Sequence, residues 1–520
     1  MKYEATNPSV TFSSTRFPRY PMFSDQLKIL ALPSVIEAHG FSVGLSQLRI
    51  ILPIALILCA LVSESLSANS IPAEVASQLK AHKIPTSAVS IVVREIGADT
   101  NLVTLNAAEP RNPASTLKLV TTFVALDVLG PQHRWKTEFY TDARIDKGVL
   151  NGNLYIKGYG DPFLVIEDFW RTLGNLKDTG LTIINGDLVV DDSYFAIPPI
   201  DPGAFDGEPL RLYNVQPAAT LLNFKAFSFT FSPHRDGKQV QIEAEPDISG
   251  LRIVNRIKQK NARCEGYLRG IKMQPSLNGD PNEIVFSGTF PSRCRKYSLK
   301  RTAMDSPSYA RGMFEKYWAH WGGTINGGVK SAPVPETLNP LLVTTSRPLV
   351  EIIRPLNKWS NNVMARLLVY ALASEKYSPP LSREQGIEVM LEYLRAQKID
   401  TTGIVIDNGS GLSRTSRLTA DFMTALLHHA HQHPLMPEYV SSLSLNGIDG
   451  TTRRRFRGKQ EMGRMHLKTG RLDGVAAIAG YVLAQSGKTY SVTMLGNYSN
   501  IHHGAGIAIQ NALLAWVYRQ

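Results

Sequence analysis

The chain has 520 residues, of which 43% are hydrophobic and 19% are charged. This composition supplies enough apolar material for hydrophobic cores and excludes an intrinsically disordered chain, and the length suggests two to four domains. The formal net charge is +12 at pH 7. A charge excess of this sign favours an anionic partner, such as a cell-wall polymer or a lipid surface.

The strongest apolar run in the sequence covers residues 50–62 and reads IILPIALILCALV. It is short for a bilayer span of about 20 residues, and it fits the apolar region of a secretory signal. We therefore expect residues 1–68 to form a leader that is cleaved near Ala68, with export to the periplasm. An uncleaved N-terminal anchor is the alternative, and translation could begin at Met22. Export argues against nucleic acid as a partner.

Export also decides how the three cysteines are interpreted. Cys59 lies inside the signal, which leaves Cys264 and Cys294 as an even pair in an oxidising compartment. We predict a disulfide between them that closes a loop of about thirty residues. Two free thiols are the alternative.

Patterns of apolar residues predict the order of elements along the exported part. A strand pair at 85–94 and 102–105 precedes a helix over 116–129, so Ser115 would lie at the electropositive mouth of a helix. Between residues 135 and 340, short strands and turn signals predict one or two β-rich inserts with few helices. The later predicted elements are helices over 362–373, 382–397, 419–431 and 503–518, and strands over 476–484 and 489–497.

Three short motifs follow one another in a suggestive order: Ser115-Thr-Leu-Lys118, Ser360-Asn-Asn362 and Lys468-Thr469-Gly470. Sets of this kind occur in class A β-lactamases and penicillin-binding proteins. A single motif carries little information, since Ser77-Gln-Leu-Lys80 also fits the first pattern. The predicted context distinguishes the three motifs from chance matches, because Ser115 lies at the start of a helix after a strand pair and the third motif leads into the terminal strands.

The first motif supplies a nucleophile and a base. A serine hydroxyl attacks efficiently only when a base takes its proton, and Lys118 lies one helical turn from Ser115. Lys118 can be that base if burial or a second cation, such as Lys468, lowers its pKa well below the free value.

The other two motifs supply groups that act on the leaving amine and on a carboxylate. Ser360 could relay a proton to the leaving amine, and Asn362 could position both the lysine and the substrate amide. Lys468 and Thr469, with Gly470, would bind a terminal carboxylate. The oxyanion would lie between the backbone N–H groups of Ser115 and Arg471.

Together these motifs resemble the class C, low-molecular-mass penicillin-binding proteins. This is the serine D-Ala-D-Ala carboxypeptidase/endopeptidase family, peptidase family S13, to which penicillin-binding protein 4 belongs. Similar stretches extend over roughly residues 70–520: YIKGYGDP at 155–162, DDS at 191–193, DNGSGLS at 407–413, GIDGT at 447–451 and DGV at 473–475. Arg471 departs from the pattern, since the family usually has Thr or Ser after Lys-Thr-Gly.

The resemblance implies an α/β (α+β) fold, in which a transpeptidase- or β-lactamase-like domain has an antiparallel sheet and flanking helices and is interrupted by nested β-rich domains. The expected catalytic domain comprises 69–134 and 343–520, the inserted domain 135–163 and 253–342, and the nested domain 164–252. The resemblance also implies hydrolysis of D-Ala-D-Ala ends or cross-links in peptidoglycan peptide stems through an acyl-enzyme. β-Lactams would acylate and inhibit the enzyme, and no cofactor or metal is expected.

Two other functions compete with this interpretation. A β-lactamase would share acylation, but the Glu-x-x-Leu-Asn segment of class A enzymes does not occur between the first two motifs, and the insert is too large for that fold. A non-catalytic peptidoglycan-binding protein would keep the pocket without turnover. The presence of every catalytic residue type argues against it.

Two clusters suggest further sites. His428, His429, His431 and His433 could share a metal ion, but we favour an exposed helix end because no carboxylate or cysteine completes a shell. The run Arg453-Arg-Arg-Phe-Arg457, with Lys459, is interpreted as a solvated or wall-facing strip. The same basic character is compatible with loose association with a membrane or cell wall.

Overall fold

The computed structural model of the chain describes residues 71–520 except 235–238, 266–269 and 277. The predicted leader, its apolar run and Cys59 lie outside the described residues. In the part that is described, no helix is both long enough and apolar enough to cross a membrane.

Helices and strands alternate in blocks along the described chain. The helices are α1 Ala73–Ala81, α2 Lys118–Val128, α3 Ile166–Asp178, α4 Ser306–His320, α5 Leu349–Trp359, α6 Asn362–Ala373, α7 Arg383–Ala396, α8 Ala420–Gln432, α9 Met436–Ser442 and α10 Ala505–Tyr518. The first strands are β1 Val89–Glu95, β2 Val103–Leu105, β3 Lys136–Thr141, β4 Ile145–Asp146, β5 Val149–Leu150, β6 Leu154–Gly158, β7 Ile183–Ile184 and β8 Leu188–Asp191. The next are β9 Phe227–Pro233, β10 Val240–Glu245, β11 Arg252–Lys260, β12 Ile271–Pro275, β13 Glu283–Pro291 and β14 Tyr297–Arg301. The last are β15 Thr324–Ile325, β16 Val329–Ser331, β17 Pro340–Thr345, β18 Ser444–Leu445, β19 Met465–Leu472, β20 Val475–Leu483 and β21 Thr489–Asn497.

The main sheet has six antiparallel strands in the order β18-β19-β20-β21-β1-β2. β1, from the start of the described chain, pairs with β21, near its end, from Val89 opposite Gly496 to Glu95 opposite Tyr490. The predicted α/β fold with an antiparallel sheet is therefore confirmed, and strands from near the two ends of the described residues meet within the sheet.

Helices cover both faces of this sheet. The side chains of α1 and α10 pack on one face, and those of α2, α6 and α8 belong to a second core. α2 is buried nearly all round, with Leu119, Val120, Phe123 and Val124 wholly inaccessible. Burying an apolar side chain of this size contributes about 1.5–3 kcal/mol. This packing fixes the position of Lys118, the first residue of α2.

The described residues of the inserted region form four smaller sheets. Their strand orders are β16-β8-β6-β3-β17, β15-β7-β5-β4, β10-β9-β14 and β11-β13-β12. β8 falls inside the predicted nested segment 164–252 but pairs in parallel with β6, and β14 falls outside it but pairs with β9. The pairing of β8 with β6 crosses a helix, and parallel pairing across such a crossover leaves no local signal in the sequence. The domain boundaries stay a prediction.

The described part of this region has two long helices, α3 and α4, among many short strands, which agrees with the expectation of few helices. α3 makes the crossover between β6 and β8. α4 starts at the N-cap Asp305, whose side chain accepts a hydrogen bond from the backbone N–H of Ser308 at 2.7 Å, and Pro307 occupies its second position. Both start signals are present in the sequence. The structure also joins Cys264 and Cys294 by a disulfide in this region.

A segment of the inserted region packs on α6, the helix that begins at the end of the second motif. Phe195, Val215 and Leu221 form one core with side chains of α6, including Leu367 and Tyr370. The segment belongs to the predicted nested domain, yet it covers the helix that follows the second motif. This contact brings backbone carbonyls of the insert to the site described below.

Candidate active site

Ser115 lies in a 3-10 turn, Ala114–Leu117, that leads directly into α2. Ala114 has a left-handed backbone, with φ of 44°, and its N–H donates to the side chain of Asn112 at 2.9 Å. The Asn112 side chain in turn donates to the carbonyl of Ser413 at 2.8 Å. Asn112 therefore fixes the sharp turn that presents the half-buried Ser115.

Lys118 is wholly buried, and its ammonium has three partners. Nζ lies 3.1 Å from Oγ of Ser115 and donates to Oδ1 of Asn362 at 2.6 Å and to the carbonyl of Ser410. Burial, followed by the charges of Lys468 and Arg366, holds the pKa of Lys118 well below its ordinary value. A lowered pKa favours the neutral form of the lysine, and only a neutral amine can accept the proton of Ser115.

The second motif lies at the junction of α5 and α6. Ser360 has a left-handed backbone with φ of 59° and ends α5, and Asn361 caps α6 by accepting from the N–H of Met364 at 3.2 Å. Asn362, the first residue of α6, is held at both ends of its amide. Its Oδ1 accepts from Lys118, and its Nδ2 donates to the carbonyl of Tyr213 at 3.1 Å.

The third motif lies within β19, a strand that the sequence did not predict, and β19 leads directly into the terminal strands β20 and β21, as expected. Nζ of Lys468 donates to Oγ of Ser360 at 2.8 Å and to the carbonyl of Thr469 at 3.0 Å. Burial lowers the pKa of Lys468 to about 7. The Thr469 hydroxyl donates to that of Thr451 at 2.9 Å. Lys468 thus joins the second and third motifs.

Gly470 allows β19 to approach the Ser115 turn. A Cβ at this position would lie 2.6 Å from the carbonyl oxygen of Pro113 and 3.1 Å from the backbone N of Ser115. Only glycine fits without moving one of these backbones. Arg471, the next residue, pairs with Ala476 in β20 and is exposed.

The structure therefore brings the three motifs together. One chain of hydrogen bonds links Ser115, Lys118 and Asn362, and a second links Ser360 to Lys468. Burial and the charge of Lys468 both lower the pKa of Lys118, so the two hydrogen-bonded groups are also coupled electrostatically. The arrangement can activate a hydroxyl and place a second hydroxyl beside a cation.

The sequence interpretation missed groups that complete the site. The carbonyl of Ser410 accepts from Lys118, and the Nη1 of Arg366 donates to the carbonyl of Val215 at 3.3 Å. Ser410 lies in the DNGSGLS stretch, where Gly409 and Gly411 have positive φ. The sequence interpretation used that stretch only as a point of resemblance to the family. The two glycines on either side of Ser410 could have indicated that the backbone there has a special conformation and a role in the site.

The histidine cluster does not form the expected exposed helix end. His428 is buried, and its Nε2 lies 3.0 Å from Oγ of Ser491, while His433 lies 3.1 Å from Asp127. Burial lowers the pKa of His428 to about 4, so this ring is neutral. Across the described ranges, no three His, Cys, Asp or Glu side chains are grouped as metal ligands.

The fold is that of a penicillin-binding protein. The chain superposes on the crystal structure of penicillin-binding protein 4 (dacB) from Haemophilus influenzae with a TM-score of 0.73, at 22% identity, over 86% of this chain and 99% of that one. A second crystal structure of that protein, complexed with a novel β-lactam, gives a TM-score of 0.69 over 86% of this chain and 100% of that chain, also at 22% identity.

The model of the D-Ala-D-Ala carboxypeptidase 3 (S13) family matches residues 71–520, so the chain belongs to this family. It is 28% identical to the D-alanyl-D-alanine carboxypeptidase of Actinomadura sp. (strain R39), over 81% of this chain and 80% of that protein. It is 25% identical to the D-alanyl-D-alanine carboxypeptidase DacB of Haemophilus influenzae, over 80% of this chain and 87% of that protein. The predicted family is confirmed.

Proposed function

We propose that this protein is a serine-type D-alanyl-D-alanine carboxypeptidase that acts on peptidoglycan peptide stems through an acyl-enzyme on Ser115. The observation that carries the proposal is the buried side-chain nitrogen of Lys118, 3.1 Å from the Ser115 hydroxyl and held by Asn362. A buried lysine with a lowered pKa and a hydroxyl within hydrogen-bond reach is the arrangement of a base and its nucleophile. Family membership and the names of the relatives supply the substrate class.

Acylation begins with the attack of the Ser115 oxygen on the carbonyl of the penultimate D-Ala. The hydroxyl proton passes to the neutral amine of Lys118, and the negative charge develops on the substrate carbonyl oxygen. The backbone N–H groups of Ser115 and Arg471 would stabilise that oxygen, and each such donor is worth about 3 kcal/mol in the transition state. The close approach of Gly470 to the Ser115 turn supports this role, because it holds β19 beside the reacting serine.

Departure of the terminal D-Ala requires a proton on its nitrogen. Ser360 can deliver that proton, since its hydroxyl is bonded to Lys468. As the amine departs, the proton that Lys118 took from Ser115 passes to the oxygen of Ser360, which restores the Ser360 hydroxyl and the neutral amine of Lys118. Lys468 and Thr469 would hold the carboxylate of the leaving D-Ala, and that anion in turn favours the charged form of the lysine. Water then hydrolyses the ester, with Lys118 as its base. A β-lactam would acylate Ser115 in the same way, but its amine stays attached to the acyl group and blocks this water.

Export to the periplasm belongs to the same proposal. The disulfide between Cys264 and Cys294 supports an oxidising compartment, and the net charge of +12 suits an anionic wall. Arg471 keeps a backbone N–H for the oxyanion but replaces the hydroxyl side chain usual in the family. We therefore expect the preference among stem peptides to differ from that of relatives with Thr or Ser.

Labelling with a fluorescent penicillin tests the proposal. The wild type should be labelled stably, and Ser115→Ala should not be labelled at all. Ser77→Ala is the matched control, because Ser77 is an exposed serine on α1 that begins the same four-residue pattern. Rapid release of the label would indicate a β-lactamase instead, and absence of label in the wild type would indicate a non-catalytic binding protein. Full labelling of Ser115→Ala would refute the assignment of the nucleophile.

A further inference from the structure

A cavity of about 190 Å³ lies between the segment 197–217 of the inserted region and the helices α6 and α7. Its lining is mostly apolar and includes Ile197, Pro198, Ile200, Pro217 and Tyr370. An apolar cavity of roughly 150 Å³ accommodates one benzene ring, so there is room here for a ring with a short polar chain. The catalytic side chains of the three motifs, all within the described residues, do not line this cavity, which is therefore a separate site.

Arg366, on α6, brings a positive charge to the lining of the cavity. A guanidinium is rich in N–H donors, but among the described residues it makes one hydrogen bond, in which Nη1 donates to the carbonyl of Val215 at 3.3 Å. Nε is buried and, in the same part of the chain, has no partner. Burial lowers the pKa of Arg366 to about 10, because the charge is held away from water. An anionic group of a ligand would supply an acceptor and balance this charge.

The carboxylates around the cavity are engaged with other groups. Asp407 and Glu384 both pair with the guanidinium of Arg383, at 3.3 and 2.7 Å. Asp201 is exposed and accepts a hydrogen bond from the backbone of its own loop at 2.8 Å. Across the described ranges Arg366 has no ion pair, so its charge is available to an anion from solvent. Besides burial, the groups that act on its pKa are Asp407, Arg383 and Tyr370.

Arg366 lies one helical turn after Asn362, on the same side of α6. Both side chains donate to one stretch of the inserted region, Asn362 to the carbonyl of Tyr213 at 3.1 Å and Arg366 to that of Val215 at 3.3 Å. Asn362 also accepts from Lys118 at 2.6 Å. A ligand that pairs with Arg366 would therefore act one turn away from a group that positions the catalytic lysine.

Another wall of the cavity supports Lys118 as well. Asn408 lines the cavity, and its Oδ1 accepts from the N–H and the hydroxyl of Ser410 at 3.0 and 2.8 Å. The carbonyl of Ser410 in turn accepts from Lys118. Burial, followed by the charges of Lys468 and Arg366, lowers the pKa of Lys118. The cavity is thus coupled to the catalytic base through charge and through two hydrogen-bonded supports.

We propose that the cavity binds a small carboxylic acid with an apolar body, whose carboxylate pairs with the guanidinium of Arg366. The two groups match in geometry, because a guanidinium donates two parallel hydrogen bonds to a carboxylate. Apolar side chains such as Ile197 and Tyr370 would cover the body of the ligand, as is usual in small-molecule sites.

Pairing at Arg366 would slow acylation. It balances one of the two cations that, with burial, lower the pKa of Lys118. That pKa then rises, so that at a given pH less of the lysine is neutral base. Inhibition is therefore expected on the acid side of the pH profile and is lost at pH values above the raised pKa. The inference rests on the proposed function, which makes Lys118 the base, and adds a regulatory ligand site to it.

Calorimetric titration tests binding, with 3-phenylpropanoate as the probe and the neutral 3-phenylpropanamide and cationic 3-phenylpropylamine as matched controls. The full chain is first acylated with penicillin, so that the carboxylate site at Lys468 is filled. The propanoate should bind with a Kd of about 0.1–1 mM, and the two controls about tenfold more weakly or less. Arg366→Met should weaken binding of the propanoate about tenfold or more.

A second pair of variants tests the cavity without touching Arg366. Ala204→Trp fills the cavity from an exposed loop position and should abolish binding. Ala332→Trp, at an exposed alanine directly after β16, is its control and should bind the propanoate like the wild type.

Stopped-flow acylation with a chromogenic β-lactam as a function of pH tests the coupling. Saturating propanoate should move the acid limb of the wild-type profile to higher pH by about 0.5–1 unit. Arg366→Met should show that shift without the probe and no further shift with it, whereas Arg366→Lys, which keeps the charge, should keep the wild-type limb. Ala204→Trp should keep the wild-type limb with and without the probe.

Four results would overturn the inference: no binding of the propanoate, equal binding of the amide, undiminished binding in Ala204→Trp, or an acid limb that the bound probe leaves in place. If Arg366→Met does not fold, the Ala204→Trp and Ala332→Trp pair decides the same question. A wild type that takes no penicillin label would instead overturn the proposed function, and the titration of the unlabelled variants would still test the cavity.

Discussion

Replacing Gly470 by alanine would separate the strand that carries the third motif from the turn that carries Ser115. The backbone of Gly470 is that of an ordinary strand residue, so alanine brings no conformational strain of its own. Its Cβ, however, would meet the carbonyl oxygen of Pro113 at 2.6 Å, where ordinary contact begins at 3.4 Å. Because both partners are backbone, the clash cannot be relieved by rotating a side chain.

The size of the effect follows from this geometry. The two backbones must separate by about 0.8 Å, and overpacking of this kind typically costs about 1–3 kcal/mol of stability. A displacement near 1 Å at a reacting centre can slow the reaction about 100-fold, which corresponds to about 2.7 kcal/mol in the barrier. We expect the variant to remain folded and to lose about 100-fold in the rate of penicillin acylation.

Stopped-flow acylation with a chromogenic β-lactam, together with thermal melting, measures both quantities. Gly328→Ala is the matched control, since a Cβ there has its nearest neighbour at 3.7 Å. That variant should acylate at the wild-type rate. An unchanged acylation rate in Gly470→Ala, with unchanged melting, would show that β19 does not lie against the Ser115 turn and would refute the description of the site.

Three further outcomes are expected. Asn362→Ala removes the 2.6 Å partner of Lys118; a bond to a charged group is worth about 1.5–3 kcal/mol, so stopped-flow acylation should slow about 10- to 150-fold. Because the pKa of Lys468 is lowered to about 7 and only its ammonium form binds carboxylate, kcat/KM should fall as pH rises above 7; a stem amidated at its C-terminus should show no such fall. Replacing Cys264 and Cys294 by alanine should lower the free energy of unfolding by about 3–4 kcal/mol in denaturant titrations, for a bridge spanning 30 residues, while penicillin labelling stays at the wild-type rate.

Local signals in the sequence predicted the helical half of the site well. The bounds of α6, 362–373, follow from an apolar run behind a polar cap, and α2 was expected around 116–129 because apolar residues recur along it. Both helices are predicted by the spacing of apolar residues that are close together in the sequence, which can be read from the sequence directly. The order of the three motifs then indicated which residues should meet.

The sequence did not allow prediction of the site's hydrogen-bond partners that act through their backbone. The carbonyl of Ser410 accepts a hydrogen bond from Lys118, and that of Tyr213 accepts one from Asn362. Both contacts depend on the path of the backbone, and every residue has a carbonyl, so the residue types do not reveal which carbonyl is the acceptor. β19 was also missed as a strand, because lysine and glycine interrupt its apolar alternation.

The nested arrangement of the insert was hidden for a different reason. β8 pairs with β6 only after the chain has made the α3 crossover, and the paired residues of β14 and β9 lie 66 (297 − 231) to 74 (301 − 227) positions apart in the sequence. Pairing between distant segments is decided by which sheets can bury their faces together, and the sequence around each short strand does not specify it.

A crystal structure of the protein reacted with a penicillin would show directly whether Ser115 is the nucleophile. We expect continuous density from Oγ of Ser115 to the opened β-lactam, with the acyl oxygen about 2.7–3.1 Å from the backbone nitrogens of Ser115 and Arg471. The carboxylate should lie beside Lys468. Density attached to any other serine, or an acyl oxygen directed away from both nitrogens, would contradict it.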